Sequence, residues 1–253
     1  SLVPPVSVMY GRGHPRLLHS FPTRRSSDRA GGDIRLLERE ALANGQRLSL
    51  MIGSKNFTVG LPLAGKFQAE NALCALGLAM ALGADVNRAV AALKALQGVP
   101  GRMQHVGSVR GADVYVDYAH TPDALENVLN ALRPHTRAKL HVLFGCGGDR
   151  DAGKRPQMGR IASELADRVF VTDDNPRSED ASTIRAEILA TAPGAEEIAD
   201  RHDAIRTAIA ALGAGDVLVL AGKGHEQGQI VGDEILPFDD VEEARAAIEE
   251  VQA

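Results

Sequence analysis

The sequence contains no tryptophan, only two cysteines and no long apolar run. A membrane-spanning helix needs roughly 20 consecutive apolar residues, so none is predicted. Cys74 and Cys146 lie far apart along the chain, which argues against a disulfide framework and fits a reducing compartment such as the cytoplasm. Lys and Arg total 28 against 33 Asp and Glu, and this acidic balance predicts neither a nucleic acid nor an anionic membrane as partner.

The chain is nevertheless rich enough in apolar residues to fold. It has 253 residues, of which 44% are hydrophobic, enough for one large or two ordinary domains with packed cores. Residues 1–32 show no regular pattern of apolar residues, because prolines interrupt every periodicity and the basic residues share no face. The segment His19–Asp28 also resembles the translation of a common sequencing-adapter oligonucleotide. We therefore expect residues 1–32 to be a disordered or artefactual leader, which resequencing of the locus would test.

From Asp33 the patterns become regular. Two short β-type runs, Arg47–Ile52 and Asn56–Leu61, predict a hairpin, and an Ala/Leu-rich helix follows. Asp85 is the predicted N-cap of a second helix. Pro and Gly within Gln97–Gly101 then interrupt the chain, so we place a domain boundary here, between residues 33–101 and residues 102–253.

Beyond residue 102, β-type runs alternate with helical stripes. This order predicts an α/β fold with a doubly wound, mostly parallel, Rossmann-like sheet, followed by a hairpin about Gly232 and a last helix from Asp240. The predicted strands are Asp113–Asp117, Leu140–Phe144, Arg168–Thr172, Glu197–Ala199 and Asp216–Leu220.

Polar residues cluster where the predicted strands end. In open parallel sheets, ligands bind at the carboxyl ends of the strands, so four loops are expected to meet at one edge. The loops are Asp117–Asp123, Gly145–Arg155, Asp173–Arg177 and Ala221–Glu226.

The Gly145–Arg155 loop has the form of a strand, a turn of small residues and a helix N-terminus, with the helical pattern beginning after Pro156. Gly148, Gly153 and Lys154 fit the phosphate-loop pattern G-x-x-x-x-G-K. Arg155, however, occupies the position at which that motif needs Ser or Thr to hold magnesium, so the match fails.

Each loop alone also permits a purely structural interpretation. The Thr-Pro-Asp after His120 is an ordinary helix start, Asn175–Arg177 could be a β-turn with a solvated Arg, and Gly222–Glu226 could be a flexible glycine turn. Cys146 is interpreted as a small packed residue, because no neighbouring His activates it.

The side-chain types indicate a ligand class. Arg presents a rigid fork to carboxylates, whereas Asn and Glu orient ammonium or amide groups. Arg150, Asn175, Arg177 and Glu226 together suit a zwitterionic substrate, and Asp117 suits ribose hydroxyls. The residues by themselves thus predict an amino-acid- or nucleotide-binding α/β domain.

Taken in this order, the four loop sequences closely resemble those of the Mur ligases of peptidoglycan synthesis, in particular the branch that adds meso-diaminopimelate to UDP-N-acetylmuramoyl-L-alanyl-D-glutamate. The resemblance runs from about Asp33 to the C-terminus. It implies that residues 33–101 are the remnant of an α/β ATP-binding central domain and that residues 102–253 are the C-terminal domain. The implied reaction is ATP- and Mg²⁺-dependent amide bond formation by a cytoplasmic monomer.

The resemblance also implies roles for individual residues. The Asp-Asn-Pro-Arg sequence marks diaminopimelate rather than lysine as the amino acid added. The implied diaminopimelate-binding residues are Arg150, Asn175, Arg177, Gly222 and Glu226; the implied nucleotide-binding residues are Asn71, Arg102 and Asp117; and His120 and Lys154 are possible catalytic residues.

This sequence also departs from the family pattern. The Mur ligases carry a Gly-rich phosphate loop, magnesium ligands and a modified lysine earlier in the central domain, and an N-terminal domain for the UDP-sugar. The sequence contains none of these, so we expect no metal site in this chain and no diaminopimelate-dependent ATP hydrolysis by it. Two interpretations follow: a truncated ligase, or a non-catalytic amino-acid- or nucleotide-binding regulatory module. An in-frame Gly-Thr-x-Gly-Lys-Thr upstream of Asp33 would select the first.

Overall fold

A computed structural model describes residues 8–10 and 34–252 of the chain. They form two compact units divided between Gln97 and Gly98. Of residues 1–32, expected to be a disordered or artefactual leader, the structure describes Val8–Tyr10, which form a strand, and the expectation stays a prediction. The remainder of that expectation lies outside the described residues, and the domain limits at residues 33, 101 and 102 stay predictions.

The first unit combines a small sheet with two helices. Its elements are β1 (Val8–Tyr10), β2 (Ile34–Leu42), β3 (Gly45–Ile52), β4 (Lys55–Leu61), α1 (Lys66–Ala81), α2 (Val86–Ala92) and a short 3-10 helix (Leu93–Ala95). The sheet order is β1-β2-β3-β4, with β1 parallel to β2 and the other pairs antiparallel. The predicted hairpin is therefore β3 and β4. Asp85 caps α2 as predicted, since its side chain accepts a hydrogen bond of 3.0 Å from the Arg88 N–H.

The second unit contains the strand and helix alternation. Its elements are β5 (Gln104–Val109), β6 (Ala112–Asp117), α3 (Pro122–Leu132), a 3-10 helix (Arg133–His135), β7 (Leu140–Phe144), α4 (Lys154–Leu165), β8 (Arg168–Val171), α5 (Ala181–Leu189), β9 (Glu196–Glu197), α6 (Arg201–Ala210), β10 (Val217–Ala221), β11 (Gly228–Val231), β12 (Glu234–Pro237) and α7 (Asp240–Gln252).

The six-stranded sheet of this unit has the order β5-β6-β10-β7-β8-β9. Every neighbouring pair is parallel except β5 with β6, which is antiparallel. The connections from β6 through β7 and β8 to β9 move along the sheet in one direction, and the connection through α6 to β10 moves back in the other. Because such connections are right-handed, the two directions place helices on opposite faces of the sheet. The predicted α/β fold with a mostly parallel, doubly wound sheet is confirmed, and β5 is an edge strand that the sequence reasoning missed.

The centre of this sheet is fully buried. All five residues of β7 and of β10 are buried, as expected for predominantly apolar strands between helical layers. On one face, α6 and α7 pack together over β6 and β10 through residues such as Ile205, Ala208 and Ala244.

Several element limits differ from the sequence interpretation by one to three residues; β6, for example, begins at Ala112 rather than Asp113, and β8 ends at Val171 rather than Thr172. Helix α4 begins at Lys154, before Pro156 rather than after it, because a proline in the first turn of a helix removes no intrahelical hydrogen bond. Strand β9 is Glu196–Glu197 rather than Glu197–Ala199, since it pairs with β8 through only two residues. Within residues 8–10 and 34–252, no helix is long and apolar enough to span a membrane.

Candidate substrate-binding site

Four loops of the second unit lie at the carboxyl edge of its parallel sheet. They follow β6, β7, β8 and β10, and because β10 pairs with both β6 and β7, its loop lies between theirs. The sheet order therefore brings together polar residues that are distant in sequence, as expected for an open α/β sheet.

Asn175 is the most connected of the predicted site residues. Its side chain is buried, and its Nδ2 donates a hydrogen bond of 3.0 Å to Glu226 Oε2. Its Oδ1 accepts from Lys223 Nζ at 2.9 Å and from the Ile230 N–H at 3.0 Å. The loop after β8 is thus joined through one amide to the loop after β10 and to β11.

Lys223 is fully buried behind this amide, with 0% of its surface exposed. Its Nζ also donates to the Gly228 carbonyl oxygen at 2.8 Å and lies 3.9 Å from Asp174 Oδ1. Burial lowers the pKa of Lys223, and the negative charge of Asp174 opposes that change.

Arg177 extends from the same loop with a backbone φ of 52°, a left-handed conformation that is uncommon outside glycine. Its Nη1 donates to the Gly148 carbonyl oxygen at 2.9 Å and to that of Asn175 at 3.4 Å. Its backbone N–H donates to the Ile230 carbonyl oxygen at 3.1 Å. Within the described part of the chain, the Nε and Nη2 protons make no hydrogen bond, and these form the edge of the guanidinium that receives a carboxylate side-on.

The glycines of the turn after β7 serve close packing against the loop after β8. A Cβ placed on Gly145 would lie 2.3 Å from the Thr172 carbonyl oxygen, and one on Gly148 would lie 1.9 Å from the Pro176 carbonyl oxygen. A Cβ on Gly147 would come within 2.8 Å of Arg177 Nη1. The turn therefore supports the Asn175–Arg177 segment.

Arg155, the residue that breaks the phosphate-loop pattern, is a structural residue. Its side chain is buried, and it forms ion pairs with Glu179 Oε2 at 2.8 Å and Glu187 Oε2 at 2.9 Å. Burial is the largest single influence on the pKa of Arg155 and lowers it. The hydrogen bonds and charges of Glu179 and Glu187 together outweigh burial, so the pKa is raised. Arg155 fixes α4 to α5 and to the loop that precedes α5.

Arg150 and Asp149 extend from the same turn and are both exposed. Arg150 Nη1 donates to the Asp149 carbonyl oxygen at 3.0 Å. The Asp149 carboxylate accepts from Ser178 Oγ at 2.7 Å and from the Ser178 N–H at 3.1 Å, and these bonds lower its pKa. Arg150 thus lies at the predicted edge, while Asp149 holds the turn to the loop after β8.

Gly222 and the loop after β10 are packed tightly, so the flexible-turn interpretation is wrong. Gly222 has a φ of 117°, and a Cβ there would lie 2.6 Å from Asp174 Oδ2. Gly224 has a φ of 58°, and its Cβ would meet the Tyr118 Cβ at 2.7 Å. Glycine is required here by backbone conformation and by close approach.

Asp117 ends β6, and both of its carboxylate oxygens accept backbone hydrogen bonds. Oδ1 accepts from the Ala119 N–H at 2.8 Å and Oδ2 from the Met103 N–H at 2.7 Å. Burial raises the pKa of Asp117, while these two hydrogen bonds oppose the rise. The guanidinium of Arg102 lies 4.5 Å from the centre of the Tyr118 ring. Ribose and phosphate binding by Asp117 and Arg102 stays a prediction.

The Lys154 side chain contacts the backbone of His120 rather than its imidazole ring. Lys154 Nζ donates to the His120 carbonyl oxygen at 2.8 Å, which joins α4 to the loop after β6. The His120 ring lies against Tyr118, with 4.5 Å between ring centres. Thr121 caps α3 and Pro122 is its first residue, so the helix-start interpretation of this loop is confirmed. The catalytic roles stay predictions.

Cys146 is a packed residue, as the sequence suggested. Its Sγ lies 3.7 Å from Met158 Sδ, and burial raises the pKa of the thiol to about 12. A thiol with that pKa is almost entirely protonated at neutral pH and is a poor nucleophile.

Asn71, the third predicted nucleotide-binding residue, lies on α1 of the first unit and is exposed. Among the described residues, no group of three or more His, Cys, Asp and Glu side chains is arranged to hold a metal ion. We assign no magnesium ligand among the described residues, and nucleotide binding by Asn71, Arg102 and Asp117 stays a prediction.

The sequence reasoning missed the buried charges beneath the site. Arg201 is completely buried and pairs with Asp240 through two hydrogen bonds of 2.8 and 2.7 Å. Its guanidinium also donates to the Ala221 carbonyl oxygen at 3.1 Å, at the end of β10. Lys223 belongs to a motif that the sequence singled out, but its role as a buried support has no sequence signal. An Arg or Lys within an amphipathic pattern normally indicates a solvated face.

Comparison with known proteins agrees with this geometry. Residues 101–224 match the family model described as Mur ligase, glutamate ligase domain. The UDP-N-acetylmuramoyl-L-alanyl-D-glutamate--2,6-diaminopimelate ligase of Bradyrhizobium diazoefficiens is 55% identical over 233 residues, which are 92% of this chain and 48% of that protein. The ligase of the same name from Caulobacter vibrioides is 56% identical over 224 residues, which are 88% of this chain and 46% of that protein.

A solved structure of a ligase of this name aligns with a TM-score of 0.74 and 39% identity, covering 88% of this chain and 46% of that one. The chain thus spans about half the length of the curated relatives it matches. The sheet order, the loop sequences at its carboxyl edge and these matches agree: the chain is a homologue of the Mur ligases and carries the glutamate ligase domain of that family at residues 101–224.

Proposed function

We propose that this chain provides the diaminopimelate-binding part of an ATP-dependent ligase that joins meso-diaminopimelate to UDP-N-acetylmuramoyl-L-alanyl-D-glutamate in the cytoplasm. Two features of the loop after β8 carry the proposal. Arg177 has a free guanidinium edge, and Asn175 of the same loop holds Glu226 of the neighbouring loop by a hydrogen bond. Arg177 suits a carboxylate and Glu226 suits an ammonium, so the two together match one amino-acid end of a zwitterion.

The roles proposed for the remaining residues follow from their positions. Arg150 is exposed at the same edge and adds positive charge for the carboxylate, and Gly222 allows the loop after β10 to approach Asp174 closely. The other amine of diaminopimelate is then free to attack the activated carboxyl group of the dipeptide substrate. The new amide bond forms as phosphate leaves, and the amine loses one proton.

ATP, when bound, would donate its γ-phosphoryl group to the terminal carboxylate of the dipeptide substrate, giving the acyl phosphate and ADP. Arg102 and Asp117 are proposed to contact its phosphate and ribose parts, with Asn71 as a contact from the first unit. His120 and Lys154 are proposed to lie near the nucleotide, where their positive or proton-donating groups suit phosphate. Electrostatic stabilisation of developing negative charge is the largest contribution that such groups make to this chemistry. A monomer is the proposed state of the chain.

Titration calorimetry of the 253-residue chain with meso-diaminopimelate tests the proposal. We expect binding that Arg177→Ala weakens by about tenfold or more, because a hydrogen bond to a charged group contributes roughly 1.5–3 kcal/mol. Arg177→Lys keeps the charge but loses the planar fork, so it should restore only part of the affinity.

The matched control is Arg160→Ala. Arg160 is exposed on α4, away from the turn that begins that helix, and its removal should leave the affinity unchanged. Absence of binding by the unmodified chain, or equal affinities for the Arg177 and Arg160 variants, would contradict the proposed role. The regulatory-module interpretation makes a different prediction. When the upstream part of a ligase is added, the chain should still bind meso-diaminopimelate, but this binding should not be coupled to ATP hydrolysis.

A further inference from the structure

The buried ammonium of Lys223 has a consequence for the amide of Asn175. Asn175 Oδ1 accepts two hydrogen bonds, one from Lys223 Nζ at 2.9 Å and one from the Ile230 N–H at 3.0 Å. A carboxamide oxygen has two lone pairs, so both are occupied. A flipped amide would instead direct its NH₂ group at two donors, and that arrangement is excluded.

This fixed orientation determines what Asn175 offers a ligand. With Oδ1 held, Nδ2 faces Glu226 and donates one of its two protons to Oε2 at 3.0 Å. Within the described residues the second Nδ2 proton has no acceptor. One N–H of Asn175 is therefore left for a ligand acceptor, beside a Glu226 carboxylate whose position the same amide holds.

Lys223 is too deeply buried to contact a ligand directly. Its side chain is fully buried, and its Nζ is engaged by Asn175 Oδ1 and by the Gly228 carbonyl oxygen. It also forms an ion pair with Asp174 Oδ1 at 3.9 Å. Lowering of its pKa by burial is opposed by the charges of Asp174, Asp240 and Glu226, and the charge of Arg201 acts in the same direction as burial.

We infer that Lys223 is a positioning residue for substrate recognition: it fixes the Asn175 carboxamide so that one amide N–H and the Glu226 carboxylate point to the amino-acid end of the ligand. This inference rests on the proposed function for the identity of the ligand, meso-diaminopimelate. The orientation of Asn175 can be tested without that ligand.

The binding test is a double-mutant cycle in the full chain, with affinities measured by NMR titration of meso-diaminopimelate. Lys223→Met, which keeps the length and apolar volume but removes the ammonium, should weaken binding by about tenfold. In an Asn175→Ala background the same change should alter affinity by less than about twofold, because its effect acts through Asn175. Additive losses in the two backgrounds would overturn the inference, since a general structural role predicts them.

Two further variants define the result. Lys223→Gln keeps an NH₂ donor group on a shorter side chain and should bind more tightly than Lys223→Met. Equal binding by the two variants would contradict a role for the donor. Lys139→Met changes an exposed lysine next to β7 and should have no effect.

The ligand-free test uses the side-chain amide of Asn175 in the unmodified chain. Its Nδ2 protons should exchange with solvent much more slowly than those of Asn130, which is exposed on α3, and Lys223→Met or Lys223→Gln should accelerate that exchange. Equal exchange at Asn175 and Asn130 would overturn the inference even if no variant folds. Slow exchange without diaminopimelate binding would instead reject the proposed ligand and retain the positioning role.

Discussion

Gly148 lies so close beneath the loop after β8 that the ideal position of a Cβ atom is 1.9 Å from the Pro176 carbonyl oxygen. Real Cβ atoms do not approach oxygen so closely, so any side chain here must move the Asn175–Arg177 segment. The segment that carries Arg177 is thus supported by Gly148, a residue that has no side chain.

Gly148→Ala should therefore destabilise the second unit by about 1–3 kcal/mol, the usual cost of overpacking. It should also weaken diaminopimelate binding, because Arg177 is displaced. The matched control is Gly213→Ala, where the nearest atom to the added Cβ is Asp216 Oδ2 at an ordinary 3.6 Å. Urea unfolding measures both variants, and equal midpoints for the two would show that the turn adjusts freely.

At the scale of elements, the ion pairs that join α6 and α7 include one buried and one exposed pair between an arginine and a carboxylate. Arg201 and Asp240 pair with 0% exposure of both side chains, whereas Arg206 and Glu250 pair with 43% and 49% exposure. Solvent screens the exposed pair, but a buried charge that loses its partner keeps its full desolvation cost. The same two helices therefore offer a direct comparison.

Asp240→Asn should lower the free energy of unfolding by about 3–5 kcal/mol, because it leaves the Arg201 guanidinium buried with a neutral partner. Glu250→Gln should cost no more than about 1 kcal/mol. Chemical denaturation followed by circular dichroism gives both values. A small loss for Asp240→Asn would mean that water or a rearranged carboxylate reaches Arg201.

At the scale of the whole molecule, His141 makes stability depend on pH. It is buried in β7, and although its Nε2 lies 3.2 Å from Asp216 Oδ2, neither ring nitrogen has hydrogen-bonding geometry to a described partner. Burial lowers the pKa of His141, and this effect outweighs the attraction of Asp216. The unfolded chain, with the ordinary His pKa near 6.5, therefore binds a proton more readily than the folded one.

The resulting stability is fully present above about pH 6.5 and falls as the pH drops below it, by at most about 1.4 kcal/mol per pH unit for one proton. His141→Phe, which retains a ring that can pack near Phe170, should remove this part of the slope. Urea midpoints at pH 7.5 and 5.5, read by tyrosine fluorescence, measure the difference. An identical slope in the variant would assign the pH dependence to another group.

The sequence was sufficient for the parallel sheet because its central strands are predominantly apolar, as in Leu140–Phe144, which matches β7 at both ends although it contains His141. It was insufficient for β5, a partly exposed edge strand whose pairing with β6 depends on tertiary contact. The loops of the candidate site were found because their residue types are unusual together. The fixed amide of Asn175 was not, since it depends on the burial of Lys223, which no pattern in the sequence indicates.

Strand β10 lies between β6 and β7, although it follows β6 by about a hundred residues in the chain. During synthesis, β6 and β7 are made early and have no central neighbour to pair with until residues 217–221 emerge from the ribosome. Such long-range pairing slows folding and prolongs the exposure of unpaired strand edges. The loop that carries Lys223 and Glu226 comes directly after that strand, so the candidate site can be complete only once β10 is in place.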